Sequence, residues 1–325
     1  MLERLSVDTR PLVYGAQGSW TLELQEEGDS HYYFDEWGIG FKKSDTGGHN
    51  YFIFHHPLAE IETDNLSDYP WPDPLDSHRL DGLKEIAENF RKTSDPAIIL
   101  SGSFSQGILQ FAAQLEGYER FFTNLVMEPA RVEWLMDKIL ELKLIFYERT
   151  LGVLDGYVDI LCEADDFGHQ RGQWISPDMF RKYVKPRYIE LYSFLKKRFK
   201  VKIFQHSCGA VYPFIPEIID MGADILNPIQ LSAKDMGDTK KLKREFGDAI
   251  AFWGGGVDVQ QDLPFLSPQQ VEDEVKRRIE DLAPGGGFVF AATQTIQPDT
   301  PPENIEAMLR TLQKYGVYGQ DDPGV

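Results

Sequence analysis

The sequence predicts an α/β protein, a (β/α)8 barrel preceded by an irregular, partly β N-terminal region. Three observations predict this fold. From about residue 80 to residue 316, predicted strands alternate with predicted helices, as in parallel strands joined by right-handed crossovers. Polar side chains follow many different strands, and a barrel gathers such strand ends at one mouth. No G-x-G-x-x-G loop follows a predicted strand, which disfavours the alternative of an open dinucleotide-binding sheet.

Residues 1–75 differ from the rest of the predicted single domain, 1–325. They are aromatic and rich in turn residues, and short extended pieces at 20–24 and 51–54 predict hairpins or a meander. The connector 69–74 contains three prolines within five residues and is incompatible with regular helix. We therefore expect an N-terminal extension before the repeated β/α units of residues 80–316.

The elements of the repeated region follow from short apolar runs and helix-start signals. Serine N-caps followed by proline open helices at Ser176 and Ser267. Six strands are evident, and two strands of an eight-stranded barrel are therefore expected within the N-terminal region. The strands are predicted at 97–102, 158–162, 201–206, 224–229, 249–253 and 287–292, and the helices at 80–93, 106–126, 129–151, 176–199, 211–221, 238–246, 267–283 and 302–315.

Composition excludes several classes of function. The 33 Lys and Arg against 52 Asp and Glu give a net charge of −19, so we expect no nucleic-acid or anionic-membrane partner. Only Cys162 and Cys208 are present, too few for a disulfide framework. No segment approaches about 18 uninterrupted apolar residues, and the N-terminus lacks the apolar core of a signal peptide. These features predict a cytoplasmic protein.

A histidine and a cysteine mark the end of one predicted strand. His206 and Cys208 close the apolar run 201–206, and side chains two positions apart on a strand share a face. Imidazole and thiol are both preferred zinc ligands. The pattern therefore predicts a metal site, with a half-buried cysteine beside a hydrogen-bonded histidine as the alternative.

Carboxylates follow another strand directly. Glu163 and Asp165 share alternation parity and are expected to face the mouth as ligands or general acid/base groups, with Asp166 pointing elsewhere. A loop that caps the next helix is the alternative. Asp258 follows a glycine run and is a catalytic candidate or a turn residue. Further strand-end residues are predicted to bind substrate: Ser103, Asn227, Gln230, Trp253 and Gln294.

Several segments of the sequence, taken together and in order, closely resemble the uroporphyrinogen decarboxylase superfamily. They are 204–209, 215–230, 284–288 and 296–305, with the turn 165–168 and the connector 69–74. The resemblance implies a distorted (β/α)8 TIM barrel. It also implies one of two chemistries: cofactor-free decarboxylation of uroporphyrinogen, or zinc-assisted methyl transfer to or from a corrinoid on a small partner protein.

The resemblance favours methyl transfer, because the arginine-containing N-terminal string of true decarboxylases is absent. Gln294 stands where those decarboxylases have histidine and the zinc methyltransferases have a third ligand, cysteine. We expect a small methylated substrate, a corrinoid-binding partner protein, and zinc held by His206 and Cys208 with Glu163, Asp165 or His169 completing the set. Decarboxylation of a tetrapyrrole, within porphyrin metabolism, and non-catalytic small-molecule binding are the alternatives. The oligomeric state stays open, a homodimer included.

Overall fold

The computed structural model describes residues 7–14, 23–28, 30–44 and 51–317. By internal contacts the chain divides into two compact units. Residues 1–163 and 193–201 form the first unit, and residues 164–192 and 202–325 form the second. Among the described residues, no helix combines the length and apolarity that crossing a bilayer takes.

The first unit begins with strand β1 (Thr9–Val13) and an antiparallel sheet of four strands. Each strand of that sheet pairs antiparallel with the next along the chain. Residues 20–22 of one predicted extended piece lie outside the described residues. The strands are β2 (Gln25–Glu27), β3 (Ser30–Phe34), β4 (Gly40–Ser44) and β5 (Phe52–His55).

The same unit continues with three parallel strands and the helices between them. β1 pairs in parallel with β6 (Ala97–Ser101), which pairs in parallel with β7 (Ile160–Ala164). The N-terminal region therefore supplies one of the two parallel strands that the sequence pattern lacked. The helices are α1 (Leu83–Thr93), α2 (Leu109–Glu116), α3 (Tyr118–Met127) and α4 (Pro129–Val153), with short 3-10 segments at Thr63–Asp68, Ser77–Leu80 and Ser103–Ser105.

One predicted helix, 106–126, is two helices in the structure. Gly117 separates α2 from α3 with a φ of +93°, a left-handed value that favours glycine and ends a right-handed helix. Inside the unit, the Phe104 and Phe146 rings stack with centroids 4.4 Å apart, and both side chains are buried. This aromatic packing fixes the segment that follows β6 against α4.

The second unit carries four parallel strands in sequence order. β10 (Lys202–His206), β11 (Ile225–Asn227), β12 (Ala251–Trp253) and β13 (Phe288–Val289) pair each with the next. Parallel pairing places the carboxyl ends of these strands at one edge, as the sequence pattern predicts. A short hairpin, β8 (Gly168–His169) with β9 (Gly172–Gln173), precedes them. The helices are α5 (Pro177–Met179), α6 (Lys185–Arg198, of which residues 193–198 belong to the first unit), α7 (Ile215–Met221), α8 (Thr239–Phe246), α9 (Pro268–Leu282) and α10 (Pro302–Tyr315).

Local signals set most boundaries in this unit. Asp238 accepts the Lys241 amide and begins α8, and Ser267 with Gln270 forms a capping box that begins α9. The predicted helix 176–199 contains a π-helical segment, Phe180–Val184, between α5 and α6. The six predicted strands are all present, β7 shifted by two residues and the other five shorter, so the mixed α/β class with parallel strands is confirmed.

Candidate metal site

Three potential metal ligands meet at the carboxyl end of β10. One ligand atom each from Asp166, His206 and Cys208 lies within 4.8 Å of the other two. The Cys208 Sγ is 3.4 Å from His206 Nε2, and that nitrogen is 3.8 Å from Asp166 Oδ1. Imidazole, thiol and carboxylate thus converge within the second unit.

Hydrogen bonds join the loop that carries Cys208 to the loop that carries Asp166. The Cys208 amide donates to Asp166 Oδ1 at 2.7 Å, and the Phe167 amide donates to Ser207 Oγ at 2.9 Å. Because each loop supplies the partners of the other, the two side chains are held at a fixed separation without any bound ion.

Gly209 makes this close approach of the two loops possible. Its φ is +90°, and a Cβ at this position would lie 2.5 Å from the carbonyl carbon of Gly168. A side chain would therefore both strain the backbone and push the loops apart. The Gly209 amide donates to Gln230 Oε1 at 2.7 Å, so this predicted substrate-binding residue holds the loop in place.

The tautomer of His206 follows from its neighbour Asn227. Asn227 Nδ2 donates to the Trp253 carbonyl at 3.0 Å, which turns Asn227 Oδ1 toward His206 Nδ1, 2.7 Å away. An amide oxygen only accepts, so His206 Nδ1 carries the hydrogen. In the neutral ring, His206 Nε2 then presents its lone pair toward Cys208, which is the arrangement of a metal-binding histidine with an outer hydrogen-bond partner.

The thiol of Cys208 is protonated at neutral pH when no cation is near. Burial, followed by the negative charge of Asp166 and its hydrogen bond, raises the pKa of Cys208 to about 12, and a hydrogen bond from Gln294 opposes that rise. The S–H group can donate to the lone pair of His206 Nε2. A divalent cation would favour the deprotonated form of Cys208 instead, since a metal ion stabilises the thiolate.

The donor set fits zinc in chemistry and spacing. Zinc bonds of ~2.0–2.3 Å in a tetrahedron place donor atoms about 3.3–3.8 Å apart. The sulfur–nitrogen separation of 3.4 Å agrees with that spacing, whereas the nitrogen–oxygen separation of 3.8 Å is at its upper limit, which belongs to pairs of sulfur ligands. The His206 and Asp166 side chains are 28% and 26% exposed, so the group opens to solvent on one side, as a catalytic site with three protein ligands requires.

Other predicted site residues of the second unit support loops around this group. Asp258 Oδ1 accepts the amides of Gln260 and Gln261, both at 2.8 Å, and so caps the turn after β12. The half-buried Trp253 packs its ring edge-on against Phe204, with centroids 5.1 Å apart. The predicted catalytic role of Asp258 and substrate contacts of Trp253 stay predictions.

Glu163 and Ser103 belong to the first unit. Glu163 is fully buried, accepts a hydrogen bond from Tyr147, and pairs with the buried Lys143 ammonium at 2.8 Å. Lys143 also donates to the carbonyls of Phe104 and Gln106, both at 2.6 Å. Ser103 begins the turn after β6. These contacts define a buried ionic cluster, and the predicted metal or proton-transfer role of Glu163 is untested by them.

Sequence reasoning missed Asp166 and favoured Asp165. In the structure Asp165 is fully buried and accepts the Tyr188 hydroxyl at 2.8 Å, whereas Asp166 faces His206 and Cys208. The expectation that Asp166 points elsewhere was wrong because β7 ends at Ala164, so strand alternation no longer applies to the residues after it. His169 is exposed, packs its ring beside Trp174, and is outside the ligand group.

Comparison with known proteins agrees with the fold and identifies the family. The family model described as uroporphyrinogen decarboxylase (URO-D) matches residues 47–315. A methylcobamide:CoM methyltransferase (MtaA) of Methanosarcina barkeri is 23% identical over 243 residues, 75% of this chain but 66% of the relative, just under two thirds of its length. A uroporphyrinogen decarboxylase of Alkalilimnicola ehrlichii is 22% identical over 81% of this chain and 68% of its own length.

A solved structure extends the agreement to the whole fold. A methyltransferase from Methanosarcina mazei superposes with a TM-score of 0.67 at 20% identity, covering 97% of this chain and 83% of that one. At this identity the likeness concerns the fold, which is consistent with the predicted barrel. The extent of the family match is what decides membership: the chain belongs to the uroporphyrinogen decarboxylase (URO-D) family.

Proposed function

We propose that the protein is a methyltransferase that moves a methyl group between a small methylated substrate and a corrinoid on a partner protein, with zinc held by Asp166, His206 and Cys208. The convergence of these three donors carries the proposal. The similarity of the chain to a methylcobamide:CoM methyltransferase supports the same reaction class. Decarboxylation of uroporphyrinogen, as the family resemblance describes it, uses no metal and gives no reason for this group.

Methyl transfer from an ether, amine or thioether needs help at the leaving heteroatom. The bond to the methyl carbon would break with both electrons left on the heteroatom, and a corrinoid in the cobalt(I) state would supply the electron pair for the new bond to carbon. A zinc ion bound here would act as a Lewis acid on that heteroatom. The residues of this chain prepare the site: Asn227 selects the His206 tautomer with its hydrogen on Nδ1, and Asp166 orients the Cys208 loop.

The proposal adds Asp166 to the predicted ligands and gives it the place first assigned to Glu163 or Asp165. A carboxylate at Asp166 satisfies the third position without the distant cysteine of related zinc sites. Glu163, whose charge Lys143 balances in the first unit, is retained as a predicted proton source only.

Metal analysis of the purified full chain tests this function. About one zinc per chain is expected in the parent and in Cys162→Ala, which removes the other cysteine, in β7. Zinc should be lost in Asp166→Asn, His206→Ala and Cys208→Ala. The zinc-loaded parent should methylate free cob(I)alamin from at least one member of a panel of methyl ethers, methylamines and methylthiols, followed by the absorbance change of the corrinoid.

Decarboxylation is the second candidate, because a relative named uroporphyrinogen decarboxylase matches 81% of this chain at similar identity. It predicts release of carbon dioxide from uroporphyrinogen by protein that contains no metal. A metal-free parent with that activity would replace the methyltransferase proposal. The methyltransferase proposal would also be replaced if the protein bound zinc but turned over uroporphyrinogen equally well after the zinc was removed.

A further inference from the structure

Gln294 lies beside the sulfur of Cys208 but is oriented as a donor. Its Nε2 is 3.5 Å from Cys208 Sγ, while its Oε1 accepts the backbone amide of Thr295 at 3.0 Å. A backbone amide only donates, so it fixes which end of the Gln294 side chain carries the oxygen. The Thr295 hydroxyl lies 3.4 Å from the same oxygen, in reach to donate to it as well. The Gln294 NH2 group therefore faces the sulfur.

We infer that Gln294 is a positioning residue that donates a hydrogen bond to the Cys208 thiolate and so tunes the metal site toward substrates with an oxygen leaving atom. The inference rests on the proposed function, and it replaces the sequence-based view of Gln294 as a substrate contact or poor third ligand. An amide N–H on a coordinated thiolate withdraws charge from sulfur, which leaves the metal a stronger Lewis acid.

The ligand set supports the same direction. With Asp166 in place of a second thiolate, the site offers one soft sulfur, one imidazole and one hard carboxylate. A metal ion held by harder ligands and a hydrogen-bonded sulfur binds a substrate oxygen in preference to a substrate sulfur. The site should therefore activate methyl ethers more effectively than methyl thioethers.

The surroundings of Gln294 provide matched variants. Gln294 is exposed, so its substitution leaves the buried core of the unit in place. Gln297, three residues further along, is also exposed, but its Nε2 donates to the Thr295 carbonyl at 3.1 Å rather than to sulfur. Gln297→Leu therefore removes an amide from the same segment without removing the contact to Cys208.

Replacing zinc with cobalt(II) gives an absorption band that depends directly on the charge of the Cys208 sulfur. In the cobalt-loaded full chain, the sulfur-to-cobalt charge-transfer band should move to lower energy in Gln294→Leu, since a thiolate without its N–H donor gives up charge more easily. The band should stay in place in Gln297→Leu. In Gln294→Cys it should become stronger, because a second thiolate adds its own transition, and the ratio of ether to thioether methyl transfer should fall.

The outcomes separate this inference from the proposed function. A parent chain with no charge-transfer band overturns both, because no thiolate then binds the metal. A parent band that Gln294→Leu leaves unmoved overturns the role of Gln294 alone. An unchanged ether-to-thioether ratio in Gln294→Cys, with the stronger band present, overturns the predicted preference for oxygen.

Discussion

The buried Glu163–Lys143 pair yields a prediction that distinguishes a structural from a catalytic role for Glu163. The two side chains are 0% and 1% exposed and lie 2.8 Å apart. Removing one partner of a buried ion pair costs about 3–5 kcal/mol, because the other charge stays buried without compensation. We expect the loss of stability in Lys143→Met to lie at the upper end of that range, since this substitution also removes the donor to the Phe104 and Gln106 carbonyls.

Glu163→Gln should fall at the lower end of that range. The neutral amide retains an oxygen that accepts from the Tyr147 hydroxyl, and the Lys143 ammonium keeps both carbonyl acceptors. In the double variant Lys143→Met/Glu163→Gln both charges are absent. The combined loss should therefore be smaller than the sum of the single losses, by roughly 1–3 kcal/mol of coupling.

Denaturant unfolding of each variant, with the zinc content measured on the same samples, checks this prediction. Glu148→Gln serves as the control, since its ion pair with Arg198 is exposed and such pairs contribute only ~0–1 kcal/mol. A Glu163→Gln chain with the stability of the parent and no bound zinc would refute the reasoning and restore Glu163 as a metal ligand.

Two further predictions concern a partly buried carboxyl and a glycine. Burial raises the pKa of Asp35 from 3.8 to about 7, so the folded state prefers the neutral carboxyl. The contribution of this preference to the free energy of unfolding is complete below pH 3.8 and is lost as the pH rises through 7. Asp35→Asn keeps the acceptor oxygen and should become increasingly more stable than the parent in unfolding experiments from pH 5 to 8, by at most about 4 kcal/mol; a constant difference would contradict this. Gly209→Ala should abolish zinc binding by separating the two ligand loops, whereas Gly172→Ala, whose added Cβ has its nearest contact at 3.8 Å, should retain zinc.

Sequence patterns predicted His206 and Cys208 but not Asp166. His206 ends β10, and the period of two that places alternate side chains on one face carried over to Cys208, two positions past the strand. The same rule failed at Asp165 and Asp166, which also follow the end of a strand, because strand pairing no longer imposes alternation there. There the backbone path depends on hydrogen bonds to a distant segment, and one sequence does not reveal those partners.

The fold was predictable to a similar extent and for a similar reason. Helix-start signals gave α9 and α10 to within a residue or two, since caps and prolines act locally. β1 escaped prediction as a barrel strand because its identity comes from parallel pairing with β6, nearly ninety positions away by the register Thr9 to Ala97. Gln294 illustrates the same limit, since its effect depends on a sulfur 86 positions earlier in the chain.

The hydrogen bonds around the ligand group also explain why metal uptake needs little rearrangement. Without a cation, the Cys208 S–H can donate to His206 Nε2 or to the Asp166 carboxylate. Asn227 accepts from His206 Nδ1, and Asp166 Oδ1 accepts from the Cys208 amide. A metal ion therefore has to replace the hydrogen bond of a single S–H group, while the bonds that orient the ligands persist. A loop that only satisfied its own polar groups would have no need to direct three donor atoms at one point, and this is the physical reason for preferring a metal site to a turn.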